Sequence, residues 1–160
     1  MVIVGLAFIA LTGMYAATNI DDYVPANENE AEIIALIKIF HQSRVEYDAE
    51  NYLACLSESG RFMFAGSLMV SKDELRTLLP PYWEALQSGR GAASPVSRES
   101  LNGNFLEGLL LNPVISVQGN KAQASVTFAT TVMRWKSMLR LSFEKEGNSW
   151  RIVHFSWDMG

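Results

Sequence analysis

Two Gly-Asn dipeptides constrain the fold of this chain more than any other feature of its sequence. Gly119-Asn120 and Gly147-Asn148 each separate two runs in which apolar and polar residues alternate. A two-residue loop that begins with glycine suits the primed hairpin turns, because their backbone twist matches that of the strands they join. The second half of the chain is therefore predicted to be an antiparallel sheet whose strands pair with their neighbours in sequence.

The alternating pattern starts near residue 94 and predicts five strands, over residues 97–108, 111–118, 121–133, 137–146 and 149–159. Each Gly-Asn loop sets the register of its hairpin. In the first hairpin Val117 should lie opposite Ala122, and Ile115 opposite Ala124.

In the second hairpin Phe143 should lie opposite Ile152, and Leu141 opposite His154. If Trp135-Lys136 is a third two-residue loop, it adds the pairs Phe128 with Phe143, Thr130 with Leu141, and Val132 with Leu139. Together these registers put a set of apolar side chains on one face: Val126, Phe128, Leu139, Leu141, Phe143 and Ile152. A slip of one residue would turn all of them to the other side.

The first predicted helix begins near Asn29, where Glu32 three positions later completes a capping pattern. The residues that then recur at helical spacing are Ile33, Ile34, Ile37, Phe40, Arg44 and Tyr47. Up to Phe40 the helix is apolar nearly all round, so it is expected to be largely buried. Asp48 should cap a second, short helix that runs through Leu56. Residues 61–70 read as two short strands about a glycine.

Ser71 and Glu74 form a capping box that predicts a third helix from Lys72 onward. Pro80-Pro81 is expected to kink or restart it, because proline lacks the amide proton and clashes with the preceding turn. Three helices are thus the only material available to cover the apolar face of the sheet. The predicted fold class is α+β, a cone-shaped, curved antiparallel sheet packed against three N-terminal helices.

The opposite face of the sheet is predicted to be polar along most of its length, with an apolar patch at one end. The patch contains Met133, Met138, Val153, Phe155 and Trp157. Such a patch suits a homodimer interface. Part of it could equally be ordinary surface, since folded proteins expose much apolar area.

Charge and composition bound the function. The net charge is −4, and the 13 Lys and Arg residues are scattered, so no nucleic-acid partner is expected. With two histidines and one cysteine, Cys55, the chain has no ligand set typical of zinc or iron, and no metal site or cofactor is predicted.

Residues 1–20 carry no charged side chain and are largely apolar. Three interpretations remain open for this stretch: a cleaved signal peptide, an uncleaved membrane anchor, or a buried element of the domain. Residues 21–29 are polar and acidic and read as a tether, which leaves residues 30–160 as one domain. The predicted location is exported, periplasmic or extracellular, or membrane-anchored.

The order of these elements resembles the nuclear transport factor 2-like superfamily, which includes the ketosteroid isomerases and the SnoaL-like proteins. The resemblance spans residues 30–159 and rests on five segments: 47–50 (YDAE), 62–66 (FMFAG), 71–75 (SKDEL), 115–122 (ISVQGNKA) and 150–157 (WRIVHFSW). It implies a conical, commonly dimeric fold with a pocket between sheet and helices. Some members use that pocket for isomerisation, dehydration or epoxide hydrolysis, and others only for binding.

The chain departs from this resemblance at the positions that carry chemistry. The ketosteroid isomerases have an aspartate base just before the glycine of the first short hairpin, whereas residues 62–66 hold no carboxylate. Many members end in a tryptophan-led strand with two histidines and a serine. Here the second histidine position is Ser156 and the serine position is Asp158.

His154 is the sharpest catalytic candidate, because the predicted register puts its imidazole on the covered face beside Leu141, where it could act as a general base. It could equally be a core histidine with a hydroxyl or backbone partner. Asp158 could orient the ring or be solvated, and Tyr47 could donate a hydrogen bond into the cone or merely pack. The predicted ligand-binding residues are Phe40, Tyr47, Trp83, Phe128, Leu141 and His154.

Three functional hypotheses follow. The favoured one is a domain that binds a small apolar or amphipathic molecule, or a dimeric interaction module, without assigned catalysis. The alternative is an isomerase, dehydratase or hydrolase with His154 as base, Asp158 as orienting carboxylate and Tyr47 as donor. The third is a structural dimer whose cone is filled by its own side chains.

Overall fold

A computed structural model describes residues 17–64, 68–88, 108–129 and 136–159 of the chain. Within these ranges the helices are α1 (Glu28–Glu46), α2 (Ala49–Cys55) and α3 (Lys72–Gln87). The strands are β1 (Arg61–Phe64), β2 (Leu68–Ser71), β3 (Leu109–Gln118), β4 (Lys121–Ala129), β5 (Lys136–Glu146) and β6 (Ser149–Met159). The predicted strand over residues 97–107 lies outside the described residues, as do residues 130–135.

Helix α1 begins two residues earlier than predicted. Asn27 is its cap, and its side chain accepts a hydrogen bond from the Glu30 amide at 3.0 Å. The Glu30 carboxylate reaches back to the Ala26 amide at 2.8 Å. Asn29, the predicted cap, instead accepts a hydrogen bond from the indole nitrogen of Trp150 at 3.3 Å and so ties the helix to the sheet.

The other two caps are confirmed. Asp48 caps α2 by accepting the Asn51 amide at 3.0 Å, and the capping box of Ser71 and Glu74 is complete at the start of α3. Helix α3 continues through Pro80 and Pro81 as one element, so the predicted restart does not occur. Both prolines are exposed.

The main sheet has the strand order β3-β4-β5-β6, each strand antiparallel to the next, while β1 and β2 form a separate hairpin. Both two-residue loops are confirmed, and Gly119 and Gly147 each adopt a φ of 62°, which a glycine tolerates at no steric cost. The predicted pairs of Val117 with Ala122, Ile115 with Ala124, and Phe143 with Ile152 are also confirmed.

The predicted register between β4 and β5 is wrong by six residues. Phe128 pairs with Ser137, and Phe143 pairs with Ala122; Lys136, predicted to be part of a two-residue loop, is instead paired with Ala129 in β5. A shift of six is even, so every side chain keeps its face. The predicted apolar face is therefore confirmed, and all six of its residues are at most 2% exposed.

A β-bulge interrupts the last hairpin. Phe143 pairs with Ile152 and the next residue, Ser142, pairs with His154, so Val153 is an extra residue in β6. In a bulge of this kind, two residues of one strand lie opposite a single residue of its partner, and the bulged strand bends. From this point to its end, β6 alternates in the opposite phase to the prediction.

The bulge corrects two predictions. Leu141 pairs with Phe155 and not with His154, so His154 is exposed and Phe155 is buried, at 7% exposure. Trp157 turns inward with Phe155, so the prediction that both lie in an outer patch is wrong. Met138 stays on the outer face, and Met133 lies outside the described residues.

The folded part begins before residue 30. The Thr18 amide donates to the Asn112 side chain at 2.9 Å, and the Asn112 amide donates to the Thr18 carbonyl at 2.7 Å, which attaches this segment to the edge of β3. Ile20, 4% exposed, enters the core. Asp21, expected in a free tether, pairs with Lys38 of α1 at 2.7 Å.

The helices cover the inward face of the sheet, as predicted, and the α+β fold is confirmed. The core contains Ile33, Ile37 and Phe40 of α1, Leu56, Phe62 and Leu75 from the middle of the chain, and Val126, Leu139, Leu141, Phe143 and Ile152 of the sheet. Where β6 runs past its bulge, the covering is incomplete and a cavity opens.

Candidate ligand-binding cavity

A cavity of about 300 Å³ lies between the helices, β1 and the part of β6 that follows the bulge. We call this side of the molecule the open end of the cone. The walls of the cavity are mainly aromatic: Tyr52, Phe64, Tyr82, Trp83, Phe155 and Trp157. Met63, Leu75 and Leu79 complete the apolar lining, and Arg44 and Ser156 add polar atoms. This composition, an apolar wall with few polar groups, is typical of small-molecule sites.

Ring-to-ring contacts hold the aromatic wall in place. Trp83 packs edge-on against Tyr52, with ring centroids 5.3 Å apart, and Phe64 packs against Tyr82 at 5.0 Å. Phe40 lies behind them and contacts both Tyr52 and Phe155 at 5.1 Å. Stacked and edge-to-face aromatic pairs such as these contribute about 0.5–1.5 kcal/mol each beyond the apolar area they bury.

Arg44 is the charged group of the cavity. It projects from α1, and its guanidinium carbon lies 4.9 Å from the centroid of the Trp157 ring and 6.0 Å from that of Phe40. Among the described residues, no carboxylate lies within 4 Å of it. Aromatic faces are therefore its partners in this part of the chain.

Burial sets the charge of the groups around Arg44. It lowers the pKa of Arg44 itself from its usual value and raises the pKa of Tyr52 to about 12, partly opposed by the nearby Arg44 charge. Burial, and to a smaller extent the Arg44 charge, lower the pKa of His41 to about 4. A hydrogen bond with the Gly108 backbone acts in the opposite direction and raises this pKa. At neutral pH Tyr52 and His41 are neutral, and of the three only Arg44 is charged.

The outer face of the sheet offers a contrasting surface. It has two larger depressions, of about 440 and 410 Å³, lined mostly by serine, glutamine and charged side chains. Both lie on the face of the strands that the described helices leave uncovered. The smaller, more apolar cavity is the better candidate, because binding sites enclose most of a ligand's surface.

Solved structures of other proteins share this fold. A protein of unknown function with a cystatin-like fold from Nostoc punctiforme superposes with a TM-score of 0.56 at 18% identity, covering 82% of this chain and 90% of its own. An NTF2-like protein with a cystatin-like fold from Novosphingobium aromaticivorans gives 0.56 at 18% identity, covering 82% of each chain. The chain has the nuclear transport factor 2-like fold.

A third structure of this fold, an NTF2-like protein of unknown function from Pseudomonas putida, gives a TM-score of 0.56 at 15% identity and covers 81% of this chain and 85% of its own. In sequence comparisons neither a protein-family model nor a curated protein matches the chain. At these identities the likeness concerns the fold alone, and the site must be judged on its own residues.

Only some of the predicted ligand-binding residues lie at the cavity of this NTF2-like fold. Trp83 lines the cavity, and Phe40 forms its floor. Tyr47 ends α1 in a left-handed conformation, with its ring packed against Trp83 at 5.8 Å, behind the wall. Phe128 and Leu141 are core residues, although Phe128 contacts the cavity residue Trp157 at 5.5 Å.

The predicted catalytic residues are not brought together. His154 lies on the outer face, opposite Ser142, because the bulge at Val153 reverses its side. Asp158 is on the same outer face and pairs with Arg140 at 2.6 Å. Tyr47 is separated from both by the thickness of the sheet and helix layer.

Arg44 was the informative residue that the site prediction missed. The sequence did contain a signal for it: an arginine on the buried stripe of α1, one turn after Phe40, where an apolar residue is expected. Phe155 and Trp157 were missed because the site prediction assumed an unbulged strand.

Proposed function

We propose that this NTF2-like domain binds a small apolar or amphipathic molecule in the aromatic cavity. The observation that carries the proposal is the cavity itself, a space of about 300 Å³ walled by six aromatic residues at the open end of the cone. That volume is at the lower end of the range for ligand sites, so the ligand is small. A cone filled by its own side chains would leave no such space.

Catalysis is not part of the proposal, because the described residues that line the cavity offer no group suited to proton transfer at neutral pH. Its described lining includes no Asp, Glu or His, and burial keeps the Tyr52 hydroxyl protonated. General acid–base chemistry needs a group whose pKa lies near the working pH and within hydrogen-bond reach of the substrate. The enzyme alternative would have to be rebuilt on other residues.

Filling the cavity tests the proposal. Leu79 is 4% exposed and lines the cavity, so Leu79→Trp would occupy the ligand's space. Met138→Trp makes the same addition on the outer face and is the control. We expect 1-naphthol, 2-naphthoate or octanoate to raise the Tm of the natural protein and of Met138→Trp, by mass action, and to raise that of Leu79→Trp much less. The absence of any shift in the natural protein would contradict binding.

We also propose that residues 1–20 direct export or anchor the chain to a membrane, on the strength of their uncharged, apolar composition. Residues 1–16 lie outside the described residues, and none of the described helices has the length and hydropathy of a bilayer span. Cell fractionation with intact-mass analysis tests this. Full-length protein in the soluble cytoplasmic fraction would refute it.

A homodimer through the outer face of the sheet is the third proposal. Val114 and Met138 remain exposed there, at 65% and 37%. Light scattering coupled to size exclusion should report a dimer that Met138→Asp weakens. Val24→Asp, at an 85% exposed position before α1, is the control and should leave the mass unchanged. A monomer at all concentrations would exclude this proposal.

A further inference from the structure

Six of the described Lys and Arg residues have a carboxylate within 4 Å: Lys38, Arg61, Lys72, Arg76, Lys121 and Arg140. Lys136, Lys145 and Arg151 have none in this part of the chain, but Lys136 is exposed and the other two are partly exposed to water. Arg44, enclosed by α1, Trp157 and Phe40, has none among the described residues. Arg44 is thus an enclosed charge without a counterion in the described part of the chain.

The groups beside Arg44 do not supply a negative charge. Tyr52 is its titratable neighbour in the cavity wall, and burial holds its pKa at about 12. His41, on the same helix, is neutral at pH 7 and would add a positive charge if protonated. Any anion for Arg44 must therefore enter from solution or from outside the described part of the chain.

The stacking contacts compensate Arg44 only in part. A cation over an aromatic face gains much less free energy than is lost when an ion is removed from water. A guanidinium that lies over an indole ring still has N–H donors at its edge, and these match a planar carboxylate. Because Arg44 lines the cavity, those donors are accessible to a molecule that occupies it.

We propose that the cavity selects a small organic acid, whose carboxylate pairs with Arg44 and whose apolar body lies against Trp83, Tyr52 and Phe155. This inference rests on the proposed function and adds the charge of the ligand to it. The lining separates the two ends of such a molecule: one arginine for the acid, and aromatic walls for the rest.

Acid and amide pairs of equal size test the charge directly. The probes are 2-naphthoate with 2-naphthamide and octanoate with octanamide, titrated calorimetrically into the full chain at pH 7. We expect at least one acid to bind tenfold or more tightly than its amide. Equal affinities would overturn this inference while leaving small-molecule binding intact, and failure of every acid to bind would also overturn it. Binding of no probe, acid or amide, would count against the proposed function as well.

Two substitutions assign the effect to Arg44. Arg44→Met keeps the length of the side chain without its charge, and the acid and amide should then bind equally. Arg140→Met removes an arginine from the outer face, where it pairs with Asp158, and should retain the preference for the acid. Retention of that preference in a folded Arg44→Met protein would place the anion elsewhere. The comparison in the natural protein decides the question of charge if Arg44→Met does not fold.

Discussion

The two ends of the cone handle buried polar groups in opposite ways. At the closed end, near the Gly147-Asn148 loop, each has a partner. Ser57 donates its hydroxyl to Glu146, and its amide donates to the Ile152 carbonyl at 2.8 Å. Lys72, only 7% exposed, donates to the Leu56 carbonyl at 2.8 Å and pairs with a carboxylate at 2.7 Å.

At the open end the buried polar groups have weaker partners. Arg44 lies against rings, and burial holds His41 neutral. The polar groups of the closed end thus stabilise the fold. At the open end, Arg44 keeps hydrogen-bond donors that the proposed ligand would use. In natural proteins, ligand-binding regions are commonly less stable than the rest of the fold.

The largest effect should come from the residue that divides the two ends. Phe155 contacts Phe40 and Phe62 at ring distances of 5.1 and 6.1 Å, so Phe155→Ala should lower the free energy of unfolding by about 3–5 kcal/mol. His154→Ala, its exposed neighbour, should change it by less than about 0.5 kcal/mol. Chemical denaturation measures both. The reverse ranking would mean that the bulge at Val153 does not exist.

The closed end should be the more sensitive to loss of a charge. Lys72→Met leaves the Leu56 carbonyl without its ammonium partner, and we expect a loss of about 1–3 kcal/mol. Lys121→Met, in an exposed pair with Glu144, should cost at most about 0.5 kcal/mol. Denaturation midpoints that fall equally would remove the distinction between the buried pair and the exposed one.

The open end should lose stability in acid through His41. Its pKa is about 4 in the folded protein against about 6.5 in the unfolded chain, so between these values the unfolded chain binds more protons. Stability should fall from pH 6.5 toward pH 4, by about 3 kcal/mol from this group, and should not change on its account above pH 6.5. His41→Gln should flatten the profile in that window. Parallel profiles for the two proteins would contradict this assignment.

The smallest effect should come from Arg44. An unpaired enclosed charge contributes little to folding, so Arg44→Met should leave the free energy of unfolding within about 1 kcal/mol of the natural value, or raise it. Thermal and urea unfolding without added ligand measure this. A decrease in the free energy of unfolding as large as that of Lys72→Met would show that Arg44 stabilises the fold and is not kept for binding a ligand.

Much of the fold was predictable because its signals are local. A capping box needs only Ser71 and Glu74, and a two-residue loop needs only its glycine and the alternation on either side. The apolar face survived an error of six residues between β4 and β5, because alternation depends only on whether a shift is odd or even.

The site was less predictable because it depends on one odd shift and on contacts between distant segments. Val153, His154 and Phe155 alternate equally well with or without a bulge, so the sequence did not indicate which of the last two faces inward. Arg44 stood out on the stripe of α1, but its partner Trp157 is more than a hundred residues away in the chain. No local pattern connects them.

The extra residue in β6 has a consequence for how proteins of this architecture diverge. Deletion of Val153 would remove the bulge and leave His154 opposite Ser142 and Phe155 opposite Leu141, so one residue can be gained or lost here while every later side chain keeps its face. Alignments that treat this strand as gap-free would then compare residues on opposite sides of it.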